Sequence, residues 1–255
     1  MLEKKLAEKL YQTIFKRKSI RKFKNQPLKQ DKLIEIKEFL AEISGLHPEI
    51  GVESKIVSEE KISSLLPIKA PHYLVFFSEE KEGYLQNAGY ILQHLDLYLS
   101  STGLGSCWFG LAKAKKEIAE QSKFSYVITL AFGESEEDLY RDSISEFKRK
   151  ELAEIRDQAD YDELLKAVRL APSATNNQPW YFKLTQNRID IYREKPNFLK
   201  KLFYQKMNQI DIGIAAAHLK LAAQNNNYQT EFVFDHQQAA ELDNYIFQFS
   251  LEILS

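Results

Sequence analysis

The stretches "GYILQHLDL" (89–97) and "GIAAAHLKL" (213–221) share the pattern G-x-x-x-x-H-L-x-L at an offset of 124 residues. Four identities in nine positions could arise by chance, but the surrounding apolar residues repeat at the same offset. The earlier stripe is Ala88, Ile91, Leu92, Leu95 and Leu99, and the later one is Ile212, Ala215, Ala216, Leu219 and Ala223. Both stripes have the spacing of a buried helix face, which predicts a duplicated unit with two long helices. The alanines of the later copy favour close packing of these helices.

His94 and His218 fall at equivalent positions of the two copies. A packed, hydrogen-bonded histidine is favoured over a catalytic one at both positions. The five histidines of the chain are scattered, without a pair at ligand spacing, so no metal site is predicted.

Other stretches predict further helices and strands. "HYLVFF" (72–77) and "YVITLAFG" (126–133) are typical of strands, and residues 2–15 are typical of a helix. Asp31 is expected to cap a second helix.

A charged stretch, residues 133–160, divides the chain. We expect an N-terminal half, residues 1–150, and a C-terminal half, residues 151–255. Asp160 and Glu163 resemble a capping box that opens a helix at the start of the second half.

The composition excludes several classes of protein. A formal net charge of −1 argues against a nucleic-acid binder. The longest apolar run, "YLVFF" (73–77), is far shorter than a membrane span, and the charged N-terminus lacks a signal-peptide core. The single cysteine, Cys107, fits a reducing compartment. A soluble cytoplasmic protein is expected.

"RKSIRKF" (17–23) places Arg17, Lys18, Ser19 and Arg21 within five residues. Guanidinium groups bind phosphate through two parallel hydrogen bonds, and a hydroxyl adds a further donor. Taken alone, the stretch fits a solvated basic turn better than a phosphate site.

"GLGSCWFG" (103–110) combines glycines, which let a backbone approach a flat ligand, with Trp108 and Phe109, which could form an apolar floor. It lacks the third glycine of a dinucleotide-binding motif and follows a helix rather than a strand. A simple helix-stopping turn explains it equally well. Cys107 is expected to be a packing residue.

"APSATNNQPW" (171–180) contains no charged residue. Ser173, Asn176 and Gln178 offer donors and acceptors on a loop that two prolines stiffen, which suits the polar edge of a ring system. The alternative is an ordinary loop whose polar side chains satisfy local backbone groups.

The three stretches together resemble the FMN-dependent nitroreductase superfamily. Its motifs are R-[RK]-S-x-R-x-F, G-L-G-[ST]-C-W-[IL]-G and P-S-[SA]-x-N-x-Q-P-W. A fourth match, "FKRKEL" (147–152), resembles the basic segment that reaches the FMN phosphate in this family. The resemblance extends over most of residues 11–223.

The order of the motifs differs from that of the ordinary family. The first half has the basic opening and the glycine turn, but "EISGLHPEIGVES" (42–54) stands where the polar loop would be, and that loop lies in the second half. This arrangement is similar to the single-chain branch called putative TM nitroreductases. The resemblance implies an α+β fold of two fused half-repeats, each with a small, mostly antiparallel sheet flanked by helices. It also implies a pseudo-dimer with one FMN site.

The resemblance implies a role for each matched residue. The phosphate and ribityl end would be bound by Arg17, Lys18, Ser19, Lys148 and Arg149. Arg21 would lie near N1 and O2 of the flavin ring, where a cation stabilises the reduced form. The ring would be bordered by Trp108, Phe109 and Gly110 on one side and by Pro172, Ser173, Ala174, Asn176 and Gln178 on the other. No catalytic side chain is implied, because the flavin supplies the chemistry.

The function implied is an FMN-dependent oxidoreductase that uses NADH or NADPH to reduce a small acceptor such as a nitroaromatic or a quinone. A monomer is expected, because the two halves of one chain already form the pair that two subunits would form in a dimer. Two alternatives stay open: a flavin-binding sensor or carrier without turnover, and a structural descendant without flavin.

Overall fold

The computed structural model describes residues 3–64, 68–195, 201–235 and 239–254. Within these ranges the chain forms six α-helices and ten strands. The helices are α1 (Lys4–Ile14), α2 (Gln30–Glu42), α3 (Tyr84–Ser101), α4 (Lys116–Ala119), α5 (Asp162–Arg169) and α6 (Lys201–Asn225). The strands are β1 (Val52–Val57), β2 (Ile62–Ser64), β3 (His72–Ser78), β4 (Gly105–Trp108), β5 (Ala112–Ala114), β6 (Ser125–Gly133), β7 (Trp180–Thr185), β8 (Arg188–Glu194), β9 (Gln229–Val233) and β10 (Tyr245–Leu254).

The two larger sheets have the same topology. Their spatial orders are β1-β3-β6-β4 and β7-β8-β10-β9, and every neighbouring pair is antiparallel. In each sheet the strands therefore follow the order first, second, fourth, third along the chain. In each half a long helix, α3 or α6, connects the second strand to the third. A separate two-stranded sheet pairs β2 with β5.

Helices α3 and α6 pack against each other along the predicted apolar stripes. All ten stripe residues are buried, which confirms that part of the prediction. At Gly89 and Gly213 the backbone of the other helix lies so close that neither position has room for a side chain. One hydrophobic core contains residues of both helices, of α1 and α5, and of both large sheets.

The predicted strands at 72–77 and 126–133 are confirmed as β3 and β6. The prediction that Asp31 caps α2 is wrong, because the helix begins at Gln30, Lys29 is its N-cap, and Asp31 lies in the first turn. No helix in the described ranges is long and apolar enough to span a membrane.

The predicted capping box of Asp160 and Glu163 is also wrong. Tyr161 takes the N-cap position of α5 in a left-handed conformation, with φ of 49°, which moves Asp160 out of the cap. Asp160 instead accepts a hydrogen bond from the Tyr161 N–H at 2.8 Å, and Glu163 accepts one from the Tyr228 hydroxyl at 2.8 Å.

Candidate functional site

A cleft of about 160 Å³ lies between the two halves of the chain. The first half contributes Ser19, Arg21, Cys107, Trp108, Gly110 and Ile128. The second half contributes Pro172, Ser173, Ala174 and Thr175 of the polar loop, and Met207, Ile210, Asp211 and Ile214 of α6. The fold thus brings the basic opening, the glycine turn and the polar loop to one place, although they are distant in sequence.

The basic opening is positioned by Ile20. This fully buried residue donates its backbone N–H to the carbonyl of Ser106 on β4 at 2.9 Å. The opening also runs antiparallel to residues 135–140 through two bridges. Because side chains of an extended segment alternate in direction, Ser19 and Arg21 face the cleft while Ile20 faces the core.

Arg17 lies behind the cleft rather than in its lining. Its Nε is 2.6 Å from Oδ2 of Asp96, and both side chains are almost completely buried. Asp96 also accepts hydrogen bonds from Gln93 Nε2 at 3.2 Å and from the Ser106 hydroxyl. Arg17 Nη2 donates to the Ser19 hydroxyl at 3.0 Å. In this arrangement Arg17 orients Ser19, and its own charge is balanced by Asp96.

Arg149 belongs to a cluster of cations beside the polar loop. Burial, followed by repulsion from Arg17, Arg141 and Arg169, lowers the pKa of Arg149 to about 10. Its Nη1 donates to the Phe147 carbonyl at 3.0 Å, but its buried Nε has no hydrogen-bond partner in the described residues. A partly buried cation cluster of this kind favours a bound anion.

Asn176 and Gln178 connect the polar loop to the basic segment 148–150. Asn176 Nδ2 donates to the Lys148 carbonyl at 2.9 Å, and its Oδ1 accepts from Arg149 Nη1. Gln178 Oε1 accepts from the Lys150 N–H at 2.8 Å. The structure therefore engages both side chains in holding the loop, and neither lines the cleft, in contrast to the expectation that they border a ring.

The polar loop has an unusual backbone conformation. Thr175, Asn176 and Gln178 have φ values of 52°, 58° and 51°, in the left-handed region that favours glycine. Non-glycine residues persist there only when surrounding contacts hold them, and such positions are enriched at binding sites. One such contact is the hydrogen bond from the Gln178 N–H to the Ser173 hydroxyl at 2.9 Å.

Asp211 is a cleft residue that the sequence analysis missed. It is 3% exposed, and both of its carboxylate oxygens accept from the Ala174 N–H, at 3.1 and 3.2 Å. Burial raises its pKa to about 8, against the opposing effect of this hydrogen bond. The spacing 207, 210, 211 and 214 is a helix face adjacent to the repeated stripe, and this signal could have identified the residue.

The glycine turn contributes Trp108 and Gly110 to the cleft, but not the Phe109 side chain. Phe109 packs away from the cleft and stacks on Tyr73, with ring centroids 6.3 Å apart. Cys107 is buried in the cleft wall, and burial raises the pKa of its thiol.

Two predicted lysines lie outside the cleft. Lys148 is exposed, and Lys18 is half-buried without lining the cleft.

His94 and His218 are both buried and hydrogen-bonded. The Nδ1 of His94 is 2.8 Å from the Tyr90 carbonyl, and the Nδ1 of His218 is 2.9 Å from the Ala167 carbonyl. Burial lowers the pKa of His94 to about 4 and that of His218 to about 3. Both imidazoles are therefore neutral near pH 7.

Comparisons with known proteins agree with this architecture. The family described as "Putative TM nitroreductase" matches residues 9–223. A crystal structure of a putative nitroreductase from Thermotoga maritima has a TM-score of 0.64 and 19% identity, covering 96% of this chain and 93% of that chain. This similarity identifies the fold as nitroreductase-like.

Two further solved structures match smaller shares of the chain. An FMN-dependent nitroreductase from Clostridium difficile is 24% identical, with a TM-score of 0.45, and the match covers 55% of this chain and 96% of that one. A putative NADH oxidase from Clostridium acetobutylicum is 18% identical, with a TM-score of 0.44, and the match covers 57% of this chain and 97% of that one. No curated protein matches significantly.

Proposed function

Since the chain belongs to the family described as "Putative TM nitroreductase", we propose that it is an FMN-dependent oxidoreductase that uses NADH or NADPH to reduce a small acceptor, such as a nitroaromatic or a quinone. The observation that carries this proposal is the meeting of the basic opening, the glycine turn and the polar loop around one cleft. Bound FMN would supply the hydride chemistry, and the residues of the chain would bind and orient it.

The cation cluster fits the phosphate of FMN. Arg149 is half-buried beside Arg17 and Arg141, no carboxylate contributes to its pKa shift, and its Nε lacks a partner in the described residues. A phosphate would neutralise the charge of Arg149 and accept a hydrogen bond from its Nε. Asn176 holds Arg149 in place through its side-chain oxygen.

The cleft itself fits the ring end of the cofactor. Ser19 and Arg21 offer a hydroxyl and a cation on one side, and Pro172, Ser173 and Ala174 form the other side. Typical ligand cavities hold about 300–1,000 Å³, so a cleft of about 160 Å³ accommodates only part of FMN. The remainder would extend outside it toward the cation cluster.

We further propose that the two halves arose by duplication and form a pseudo-dimer with one site. The matching strand orders and the offset of 124 residues support this proposal. Another parallel supports it: the His47 N–H donates to Asn87 Oδ1 at 3.0 Å, as the Ala174 N–H does to Asp211. Asn87 and Asp211 are themselves 124 residues apart.

The counterpart of the FMN cleft has a much larger side chain at one position. At the same offset, Gly110 corresponds to Phe234, whose ring centroid lies 4.3 Å from that of His47. In the proposed FMN cleft the equivalent position is open because glycine has no side chain. Because this bulky pair replaces the open position, we propose that one flavin binds per chain. We propose that the protein is a monomer, because its two halves already form the pair.

The test is anaerobic reduction of the purified protein loaded with FMN. Bleaching of the visible flavin band by NADH or NADPH is expected. A protein that binds FMN but stays oxidised with both donors would instead be a flavin carrier or sensor. A protein that ignores added FMN would contradict the whole proposal.

A further inference from the structure

A second cavity, of about 590 Å³, lies at the counterpart of the FMN cleft, where Gly83, Gln86 and Phe234 correspond to Met207, Ile210 and Gly110 at the offset of 124 residues. Its walls come from both halves: His47 and Gln86 from the first, and Arg193, Phe234, Phe247 and Phe249 from the second, among others. Phe234 and Phe249 pack with ring centroids 5.3 Å apart. The volume is within the range of about 300–1,000 Å³ typical of small-molecule sites.

Arg193 is the unusual residue of this cavity. It is only 7% exposed, on the core-facing side of β8, and it borders the cavity. Neither Nε nor Nη1 has a hydrogen-bond partner, and no carboxylate forms an ion pair with Arg193 within the described ranges. Burial alone lowers the pKa of its guanidinium. A buried cation without a partner is strongly unfavourable, so a ligand that neutralised it would be stabilised.

The other charged groups of the cavity lie at its rim. Glu49 and Glu82 line it but are exposed, and water screens exposed charges. Glu49 is also 3.5 Å from the Nδ1 of His47. The interior therefore combines one buried cation with aromatic walls.

We propose that this cavity binds a small aromatic carboxylate, with the carboxylate on the Arg193 guanidinium and the ring against the phenylalanines. A planar carboxylate matches the two-donor geometry of guanidinium, and an aromatic ring matches the walls. The site is separate from the FMN cleft, shares no lining residue with it, and stands whether or not FMN is bound.

Benzoate is a suitable probe, and Ile246 offers a charge-matched pair of variants. Ile246 is exposed, lines the cavity, and is the cross-strand partner of Arg193 on β10, so their side chains share a face. Ile246→Glu would give Arg193 a carboxylate partner from within the protein. Ile246→Gln has nearly the same shape without the charge.

Calorimetric titration of the full-length protein with benzoate, with and without FMN, tests the proposal. We expect a dissociation constant for benzoate of about 1 mM or lower. Binding should be at least tenfold weaker in Ile246→Glu and Arg193→Gln, and Ile246→Gln should retain most of the affinity. Equal affinity of benzoate for Ile246→Glu and Ile246→Gln would overturn the proposal. Absence of binding at a benzoate concentration of about 10 mM, tenfold above the expected dissociation constant, would also overturn it. The Ile246 pair keeps the test valid if Arg193→Gln does not fold.

A crystal soaked in 4-bromobenzoate gives the location independently. Anomalous bromine signal in the cavity beside Phe234 and Phe249 supports the proposal. Signal confined to the cleft at Trp108 and Ser173 contradicts it.

Discussion

Gly89 and Gly213 face the backbone of each other's helix in a reciprocal contact. A Cβ atom at Gly89 would lie 2.0 Å from the Ile210 carbonyl oxygen, and one at Gly213 would lie 1.9 Å from the Gln86 carbonyl oxygen. The two contacts are related by the offset of 124 residues. Close packing of α3 against α6 therefore requires glycine at both positions.

Gly89→Ala and Gly213→Ala should each destabilise the protein, by similar amounts of about 2 kcal/mol or more, because the helices must move apart. In a helix without such a contact, Gly→Ala is stabilising by about 0.5–1 kcal/mol. Urea denaturation measures the difference. Gln205→Ala, at an exposed position of α6, is the control and should have little effect. A gain in stability for either glycine variant would show that the helices do not pack as described.

Arg149→Gln should weaken FMN binding at least about tenfold, because it removes a charge-assisted contact with the phosphate. Fluorescence titration of the flavin-free protein measures the dissociation constant. Lys113→Gln removes an exposed cation from β5 and serves as the control. Unchanged affinity in Arg149→Gln would exclude Arg149 from the phosphate site.

Arg17→Ala should mainly lower the free energy of unfolding. It leaves the buried carboxylate of Asp96 without its ion-pair partner, and loss of one partner of a buried pair typically destabilises by about 3–5 kcal/mol. The measurement is the free energy of unfolding in urea. A loss below about 1 kcal/mol would mean that the buried pair is not formed in solution.

Asp211→Asn should change how stability depends on pH. The pKa of Asp211 is raised by burial from 3.8 to about 8, so between these values the folded protein binds more protons than the unfolded chain. This group therefore lowers the free energy of unfolding progressively as pH rises toward about 8, and it has no such effect below about pH 4.

The asparagine keeps an acceptor for the Ala174 N–H but does not titrate. The free energy of unfolding, measured by denaturation at pH 5, 6.5 and 8, should therefore increase for Asp211→Asn relative to the unsubstituted protein as pH increases. Parallel curves for the two proteins would contradict a raised pKa.

The sequence predicted those features that depend on local periodicity. The stripes of α3 and α6 and the strands β3 and β6 follow directly from the spacing of apolar residues. The ends of helices were less predictable. Asp160 and Glu163 have the spacing of a capping box, but the left-handed conformation of Tyr161 shifts the start of α5.

The site was predicted as a set of segments, whereas the direction of each side chain depends on the fold. Phe109 and Trp108 are adjacent, yet only Trp108 faces the cleft. Arg17 matches the motif, but Asp96 on α3 neutralises it, a pairing 79 positions apart that no local pattern reveals. Asp211 was missed because its contact with the Ala174 N–H joins α6 to the polar loop, which is distant in sequence.

The central claim is that two unlike halves form a single FMN site. Titration of the flavin-free protein with FMN, followed by quenching of flavin fluorescence, measures the number of sites per chain. We predict saturation at one FMN per chain, since Phe234, packed against His47, replaces Gly110 in the counterpart of the cleft. Saturation at two FMN per chain, or no quenching at all, would contradict the account.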